Sequence, residues 1–336
     1  MEVTPHNDVN MQSIAQILSR FGDTTILVIG DLMLDEYIVG VAQRISPEAP
    51  VPVLLRRERR IGPGGAANVA WNVASLGAKV YVAGAVGADD AATELKQLLA
   101  DLPANIAGVV TDPTRPTTLK TRIIAHQQQV VRIDTEEITP LSDEVSNALL
   151  SAVQPLLDDV DAILVSDYAK GVVTESLLAT IRDVARRRDI LLTAGPKPCN
   201  LNAFHEFDFV SFNTTEASEA AMLNHEPVTG YREIGVRLAT RLNVRGLVIT
   251  RGDEGASLFT PTGWLCDIPA YRVTVYDVAG AGDTYLATLT LALATGADFV
   301  TAGRIANAAA AAVVRKAGVA PVTIDEIHHV MEHRWL

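Results

Sequence analysis

Short, uninterrupted apolar runs alternate along the chain with longer stretches in which apolar residues recur every three or four positions. The runs are rich in β-branched residues and predict strands buried on both faces of a parallel sheet, at 24–30, 79–83, 161–166, 190–193, 207–212 and 246–250. The longer stretches predict helices at 66–76, 91–102, 143–157, 175–188 and 231–242. This order of elements predicts a doubly wound α/β layer sandwich.

Two segments interrupt the alternation. Residues 36–60 are rich in Pro and Arg and contain short extended pieces, and residues 117–134 alternate as a β-strand does. If the two segments pair, they form a small sheet over the strand ends, and such a lid would exclude water from a phosphate-transfer site. If they do not pair, they are two unrelated surface hairpins. The pattern favours neither interpretation over the other.

The last third of the chain has a different composition. Residues 280–315 consist mainly of Ala, Leu and Val, and small side chains let helices approach closely, so we expect two tightly packed helices here. The length of 336 residues allows two domains or one large one. No internal repeat or low-complexity linker divides the sequence.

Charge and cysteine usage narrow the class of protein. The chain has 28 Lys and Arg against 40 Asp and Glu, a net charge of −12, so a nucleic-acid partner is not expected despite the short basic segment 56–60. Cys199 and Cys266 lie far apart and suit a reducing compartment. No apolar run approaches the ~18–20 residues of a membrane span. We therefore expect a cytoplasmic globular protein without a membrane partner, and we interpret His328, His329 and His333 as an exposed helix end rather than a metal site.

A glycine-rich turn near the C-terminus is the strongest candidate for chemistry. Gly280, Ala281 and Gly282 leave backbone N–H groups uncovered at the start of an apolar helix, which is a preformed anion site. Asp283 follows in the first turn, where its carboxylate could accept a hydroxyl proton beside a transferring phosphoryl group. At a helix N-terminus its pKa should be low. The alternative is that Asp283 only caps the helix.

Polar residues in the first part of the chain suit a polyol ligand. Gly64 and Gly65 allow a ligand to approach the backbone closely, and Asn68 offers both a donor and an acceptor. Asp31 and Asp35 follow the first predicted strand, where their carboxylates could accept bonds from sugar hydroxyls. The alternative is that both are solvated loop acids.

Asn213 and Glu216 follow the strand predicted at 207–212 and lie three residues apart. This spacing suits a hydrated magnesium ion near nucleotide phosphates. It also suits an Asn N-cap with a reciprocal Glu, and the local sequence favours the cap. A P-loop is excluded, because its Gly-x-x-x-x-Gly-Lys-Ser/Thr pattern does not occur.

Four motifs in this order resemble the ribokinase-like (PfkB) carbohydrate kinases: Gly-Gly-x-x-Asn at 64–68, Asn-x-x-Glu at 213–216, Thr-Arg-Gly-Asp-Glu-Gly at 250–255 and Gly-Ala-Gly-Asp at 280–283. The resemblance covers about residues 24–322. It implies a three-layer sandwich in one domain, 1–336, with a discontinuous β lid from about 36–60 and 117–134. It also implies ATP, Mg²⁺ and a homodimer formed through the lid.

The resemblance assigns a role to individual residues. It implies that Asp283 is the catalytic base and that the preceding Gly280, Ala281 and Gly282 form the anion hole. The sugar-binding residues that it implies are Asp35, Gly64, Gly65, Asn68 and, less directly, Asp31. The resemblance also implies residues that bind magnesium or the nucleotide, and these are Asn213, Glu216, Thr250, Gly252, Gly255 and Asn307. Asp277 and Gly318 match positions where some members bind a monovalent cation.

Several stretches are similar to the family members that phosphorylate D-glycero-D-manno-heptose 7-phosphate at C1, for lipopolysaccharide precursors. These are residues 30–37, 44–53, 63–70, 126–129 and 166–171. Some of those members carry a fused nucleotidyltransferase, and the end of this sequence at Leu336 predicts the kinase-only form. The alternatives are a kinase of another sugar, sugar phosphate or nucleoside, and a non-catalytic sugar-binding regulator.

Two positions depart from the family pattern. Ala279 stands where Thr or Ser is usual, and Ala194-Gly195 precede Pro196-Lys197 where Asp is often found.

A sugar 7-phosphate also requires a cationic pocket away from Asp283. Its candidates are Arg44, Lys120, Arg122 and Lys170. Lys170 is preferred because it follows a strand end, whereas Arg122 on an alternating strand is expected to be a solvated charge.

Overall fold

The computed structural model describes residues 11–126, 128–222 and 230–333. Its strands are β1 Thr25–Gly30, β2 Leu32–Ile45, β3 Pro52–Gly65, β4 Lys79–Val86, β5 Ala104–Thr111, β6 Thr118–Ala125, β7 Gln128–Thr135, β8 Ala162–Ser166, β9 Leu191–Gly195, β10 Phe209–Asn213, β11 Gly246–Thr250, β12 Ala256–Thr260 and β13 Gly263–Ile268. Its α-helices are α1 Met11–Ser19, α2 Ala66–Ser75, α3 Asp90–Ala100, α4 Asp143–Val153, α5 Glu175–Arg188, α6 Thr214–Met222, α7 Tyr231–Leu242, α8 Ala281–Ala294, α9 Phe299–Val313 and α10 Ile324–Glu332.

The main sheet has the strand order β13-β12-β11-β10-β9-β8-β1-β4-β5. It is parallel from β11 to β5, and β12 and β13 add an antiparallel edge. All six predicted strands lie in its parallel part, which confirms the predicted fold class. β5 lacks the buried apolar run on which those predictions rest, because every residue of it except Gly108 is exposed or half-buried.

Helices cover both faces of this sheet. One apolar layer holds buried residues of α1, α2, α3, α8, α9 and α10, and the other holds those of α4, α5, α6 and α7. All five predicted helices form, with α5 and α7 at the predicted bounds. The predicted pair of closely packed C-terminal helices is confirmed as α8 and α9, whose buried residues together are mostly Ala, Leu and Thr. No helix in the described ranges is long and apolar enough to cross a membrane.

The two segments that interrupt the alternation pair with each other. β2 and β3 form one hairpin, β6 and β7 form another, and β2 pairs with β6 in parallel, giving a second sheet of order β3-β2-β6-β7. Glu36 links the hairpins, because its carboxylate accepts hydrogen bonds from Arg59 Nε and Thr121 Oγ1, each at 2.6 Å. The interpretation as one small sheet is therefore confirmed over that of two unrelated hairpins.

Candidate active site

Polar residues converge where neighbouring parallel strands end at the same edge of the main sheet. Asp31 follows β1, Tyr168 follows β8, Lys197 follows β9 and Glu216 follows β10 by a few residues each. The start of α8 faces the same edge, so that Asp283 and residues from the ends of β8, β9, β10 and β11 line one cavity of about 200 Å³. Crevices outside the carboxyl ends of parallel strands are the usual ligand sites of such sheets.

Asp283 is held by two side chains from distant parts of the chain. Tyr168 Oη donates to its Oδ1 at 2.5 Å, and Asn68 Nδ2 donates to its Oδ2 at 2.7 Å. The N-cap of α8 is Gly280, with φ +79°, and a Cβ there would lie 3.0 Å from Asn68 Nδ2. The carboxylate of Asp283 is therefore fixed in the cavity, which the interpretation as a simple helix cap does not explain.

The pKa of Asp283 differs from the sequence expectation. Burial raises it to about 6, although the hydrogen bonds from Tyr168 and Asn68 lower it. The expectation of a low pKa from the helix N-terminus is thus wrong, because the loss of hydration outweighs both the helix dipole and the two donors. A carboxylate with a pKa near 6 is largely ionised at pH 7 and is a better base than an ordinary Asp.

Asp31 holds a loop in the structure. Its carboxylate is 1% exposed and accepts backbone N–H bonds from Tyr168 at 2.7 Å, Lys170 at 3.1 Å and Val172 at 3.2 Å. Burial raises the pKa of Asp31 to about 6, against these three donors. The alternative of a solvated loop acid is wrong for Asp31, because the side chain is buried. Its carboxylate positions the loop that carries Tyr168 and Lys170.

Asp167 holds the next loop in the same way. It is 2% exposed and accepts the backbone N–H of Ala169 at 2.8 Å, that of Lys197 at 3.0 Å, and two contacts from Asn200 Nδ2. Burial raises its pKa. Sequence reasoning missed Asp167 and Tyr168 as site residues, although both lie in the stretch 166–171. A buried acid directly after a strand was the available signal.

Asp35 lies at the junction of the second sheet and the site. Its Oδ1 forms an ion pair with Arg122 Nη1 at 2.6 Å, and both side chains are largely buried. Gly64 on the neighbouring strand leaves room for this carboxylate, because a Cβ there would lie 2.7 Å from Asp35 Oδ2. Gly65 has φ +56° and begins the turn into α2, which carries Asn68. These predicted sugar-binding residues therefore lie together.

Lys120 on the second sheet is the register partner of Asp35, and it shares an acidic partner with Lys170. Lys120 Nζ lies 3.2 Å from Asp134 Oδ2 and 3.1 Å from Glu136 Oε2, and Lys170 Nζ lies 2.7 Å from Glu136 Oε1. We call Lys120, Arg122 and Lys170 the basic cluster. Arg122 is part of it, so its expected role as a solvated charge is wrong.

Arg44 lies apart from the basic cluster. It is exposed near the end of β2, about 30 Å along the strand from Asp35 at the usual rise per residue. Within one chain it therefore does not join the other three candidates for binding a distal phosphate.

Asn213 and Glu216 form the reciprocal cap that the local sequence favours. Asn213 Oδ1 accepts the backbone N–H of Glu216 at 2.8 Å, and Glu216 Oε2 accepts that of Asn213 at 3.0 Å. The other carboxylate oxygen of Glu216 pairs with Lys197 Nζ inside the small cavity. The motif is thus a helix cap whose acid also faces the cavity, and its hard oxygen atoms suit a hydrated Mg²⁺.

A second cavity of about 1690 Å³ adjoins the first, and Thr250 and Gly282 line both. Its walls include the predicted nucleotide residues Gly252, Gly255 and Asn307. A Cβ at Gly255 would lie 2.1 Å from a backbone oxygen, so only glycine fits this turn. Tyr285 also lines the cavity, and its buried hydroxyl has no hydrogen-bond partner among the residues that the structure describes.

The structure also shows where the candidates for a monovalent-cation site and the positions that depart from the family pattern lie. Asp277 accepts the backbone N–H of Ala279 at 2.9 Å and that of Gly318 at 3.1 Å, which ties together the two segments predicted to bind a monovalent cation. Gly195 lines the small cavity two residues before Lys197. A Cβ at Gly195 would approach Leu286 Cδ2 to 3.0 Å, so this wall of the cavity is closely packed.

The chain is similar to bacterial proteins named "Bifunctional protein HldE". It is 40% identical over 316 residues to the one from Geobacter sulfurreducens, which covers 94% of this chain and 64% of that protein. It is 38% identical over 331 residues to the one from Bradyrhizobium diazoefficiens, with 98% and 66% covered. The chain thus spans about two thirds of the length of these relatives.

Solved structures share the fold at low identity. Phosphofructokinase-2 from Escherichia coli superimposes with a TM-score of 0.72 at 18% identity, covering 93% of this chain and 99% of that one. Ribokinase from Thermotoga maritima gives 0.69 at 19% identity, covering 92% and 99%. A family model described as "pfkB family carbohydrate kinase" matches residues 23–326. The chain therefore belongs to the pfkB family of carbohydrate kinases.

Proposed function

We propose that this kinase phosphorylates the C1 hydroxyl of D-glycero-D-manno-heptose 7-phosphate, giving heptose 1,7-bisphosphate and ADP for lipopolysaccharide core precursors. The observation that carries the proposal is the basic cluster, which lies beside Asp35 and is built from both the second sheet and the loop after β8. A kinase of an unphosphorylated sugar has no need for three such cations. The stretches shared with heptose 7-phosphate kinases favour heptose among the sugar phosphates.

In this proposal the sugar lies between the second sheet and α8. Asp35, Asn68 and the backbone at Gly64 and Gly65 bind its hydroxyls, and the basic cluster binds its 7-phosphate. Glu136 and Asp134 hold Lys120 and Lys170 in place before the substrate arrives. Charge-assisted hydrogen bonds from these lysines to phosphate would discriminate it from a hydroxyl.

The nucleotide occupies the larger cavity, with its phosphates toward Gly282. The adenine lies beside Asn307 in this proposal. Asn307 is held in place because its Nδ2 donates to the backbone oxygen of Pro269 at 2.9 Å. The N–H groups of 280–282 receive the transferring phosphoryl group at the start of α8. Asn213 and Glu216 would hold Mg²⁺ through water, and the ion would neutralise charge on the β- and γ-phosphates.

Asp283 acts as the base. The anomeric hydroxyl approaches the carboxylate, which is ionised at pH 7 and already fixed by Tyr168 and Asn68. The proton of the hydroxyl moves to Asp283 late in the transfer, because the transition state is loose and needs little prior ionisation of the nucleophile.

We also propose that the protein forms a homodimer in which the second sheets of the two copies pack against each other. Ile45, Leu55 and Ile133 on this sheet are 62%, 50% and 51% exposed, although they are apolar. Sedimentation velocity at micromolar concentration should show a dimer for the wild type and a smaller species for Ile133→Glu. A monomeric wild type would contradict this proposal.

A substrate panel tests the reaction. ATP turnover is measured with heptoses, hexoses and pentoses, each with and without a terminal phosphate, and phosphorus NMR locates the new phosphate. We expect D-glycero-D-manno-heptose 7-phosphate to give the highest kcat/KM, with the product phosphorylated at C1. Preference for an unphosphorylated sugar or a nucleoside would contradict the proposal and support the alternative of another kinase in the family. A non-catalytic regulator gains no support from a site that retains a positioned Asp283.

A further inference from the structure

Lys197 brings a positive charge into the small cavity that contains Asp283. Its side chain lines this cavity together with Asp283, Gly282 and Glu216, and it is 30% exposed. Its Nζ pairs with Glu216 Oε1 and lies 5.0 Å from the centre of the Tyr168 ring, whose hydroxyl donates to Asp283. The ammonium group is therefore close to the atoms that would carry phosphoryl transfer.

The backbone around Lys197 is fixed by a buried acid. Asp167 accepts the backbone N–H of Lys197 and the side-chain amide of Asn200, and Pro196 and Pro198 restrict the chain on either side. Asp31 positions Lys170 in the same way, because its carboxylate accepts the backbone N–H of Lys170 in the loop after β8. Each of two neighbouring strand ends, those of β8 and β9, thus carries one lysine in the loop that follows it.

Glu216 alone does not account for this placement. The carboxylate is already satisfied on one side by the backbone of Asn213, and an ion pair in a cavity leaves the ammonium group with unused donors. The turn of 280–282 offers only backbone N–H groups, and Ala279 lacks a hydroxyl. Lys197 therefore adds to the lining of the small cavity a full positive charge that the turn does not supply.

We propose that Lys197 binds the γ-phosphoryl group of ATP and stabilises its charge during transfer. In this step the bond between the γ-phosphorus and the β,γ-bridging oxygen breaks, a bond to the sugar oxygen forms, and the sugar proton goes to Asp283. Lys197 keeps its three protons and donates hydrogen bonds to phosphoryl oxygens. The inference rests on the proposed position of phosphoryl transfer at Asp283, but not on the identity of the sugar.

Nucleotide affinity tests this role without any sugar present. Calorimetry with Mg²⁺ gives the Kd for ADP and for a non-hydrolysable β,γ-imido ATP analogue, in wild type, Lys197→Met, Lys197→Arg and the control Lys96→Ala. Lys96 lies on α3, where its Nζ donates to Thr111 Oγ1. Met keeps the length of the side chain and removes its charge, and thermal melting verifies that each variant is folded.

We expect Lys197→Met to weaken binding of the ATP analogue about tenfold or more, the usual cost of a lost charged hydrogen bond. Its affinity for ADP should change less than about threefold, and Lys197→Arg should recover most of the analogue affinity. Equal losses for ADP and the analogue would place Lys197 at a group that both nucleotides share, and no loss for either would show that it only pairs with Glu216. Either result would contradict the proposal. If the analogue loses affinity selectively but the sugar panel fails, Lys197 keeps its role and only the proposed substrate is wrong.

Discussion

Tyr168 donates its hydroxyl proton to Asp283 Oδ1 at 2.5 Å, across 115 residues of sequence. Burial and the nearby Asp283 charge raise the pKa of Tyr168 well above its ordinary value, so the phenol stays protonated and can only donate to the carboxylate. The hydrogen bond favours the ionised form of Asp283 and fixes one of its oxygens. The second lone pair of that oxygen, and the one lone pair of Oδ2 that the hydrogen bond from Asn68 does not use, remain for a substrate hydroxyl.

Replacement of Asp283 by Asn should lower kcat by about 10²–10⁴, the range for a positioned general base. The amide has nearly the same shape, so the fold and nucleotide affinity should persist. Steady-state turnover and thermal melting of the same preparation measure both. Near-normal turnover in a folded variant would reduce Asp283 to a structural residue.

The Tyr168→Phe variant should shift the pH profile. Loss of the hydroxyl removes a donor that lowers the pKa of Asp283, so that pKa should rise above about 6. The acidic limb of kcat/KM should therefore move to higher pH, with a larger loss of activity at pH 6 than at pH 8. Tyr81→Phe on β4 is the control and should leave the profile in place. If the acidic limb of the Tyr168→Phe variant does not shift, this hydrogen bond does not set the pKa of the catalytic base.

Replacement of Glu216 by Gln should impair activity most at low magnesium, with partial recovery as magnesium rises. The structure adds a second effect, because Glu216 also caps α6 and pairs with Lys197. Gln can still accept the backbone N–H of Asn213, so the cap should largely remain. Titration of kcat/KM against Mg²⁺ is the measurement. A defect of equal size at every magnesium concentration would indicate a structural role alone.

Gly64→Ala should weaken sugar binding, because the new Cβ would lie 2.7 Å from Asp35 Oδ2 and displace the carboxylate from Arg122. We expect KM for the sugar substrate to rise severalfold with little change in KM for ATP. Gly62→Ala, two residues earlier on β3, is a matched control, since a Cβ there has no neighbour within 4 Å. Equal effects of the two substitutions would point to a general loss of strand stability instead.

Local sequence patterns predicted the structural features that depend on residues close together in the sequence. The parallel strands, the helices and the cap between Asn213 and Glu216 all follow from residues a few positions apart. The contact of Asp35 with Arg122 joins residues 87 positions apart, and it forms only because β2 and β6 pair in parallel. The pattern of either segment alone could not reveal that pairing.

The electrostatics of the site also depended on tertiary structure. The sequence places Asp283 at a helix N-terminus, which alone predicts a low pKa. Burial of the carboxylate raises its pKa against the hydrogen bonds from Tyr168 and Asn68, and the extent of burial is a property of the assembled cavity. Asp31 was predicted near the sugar because it follows a strand, but its carboxylate turns inward to three backbone N–H groups of the next loop.

Lys170→Ala tests the pocket for the distal phosphate. Its Nζ lies 2.7 Å from Glu136 Oε1, so the loss of Lys170 leaves that acid paired with Lys120 alone and adds net negative charge to the pocket. KM for the phosphorylated heptose should rise about tenfold or more, because a lost charged hydrogen bond costs about 1.5–3 kcal/mol. KM for ATP should hardly change. Kinetics with each substrate varied in turn measure both values, with Lys96→Ala as the surface control. If the variant loses ATP affinity and keeps its KM for the sugar, Lys170 faces the nucleotide and the phosphate pocket lies elsewhere.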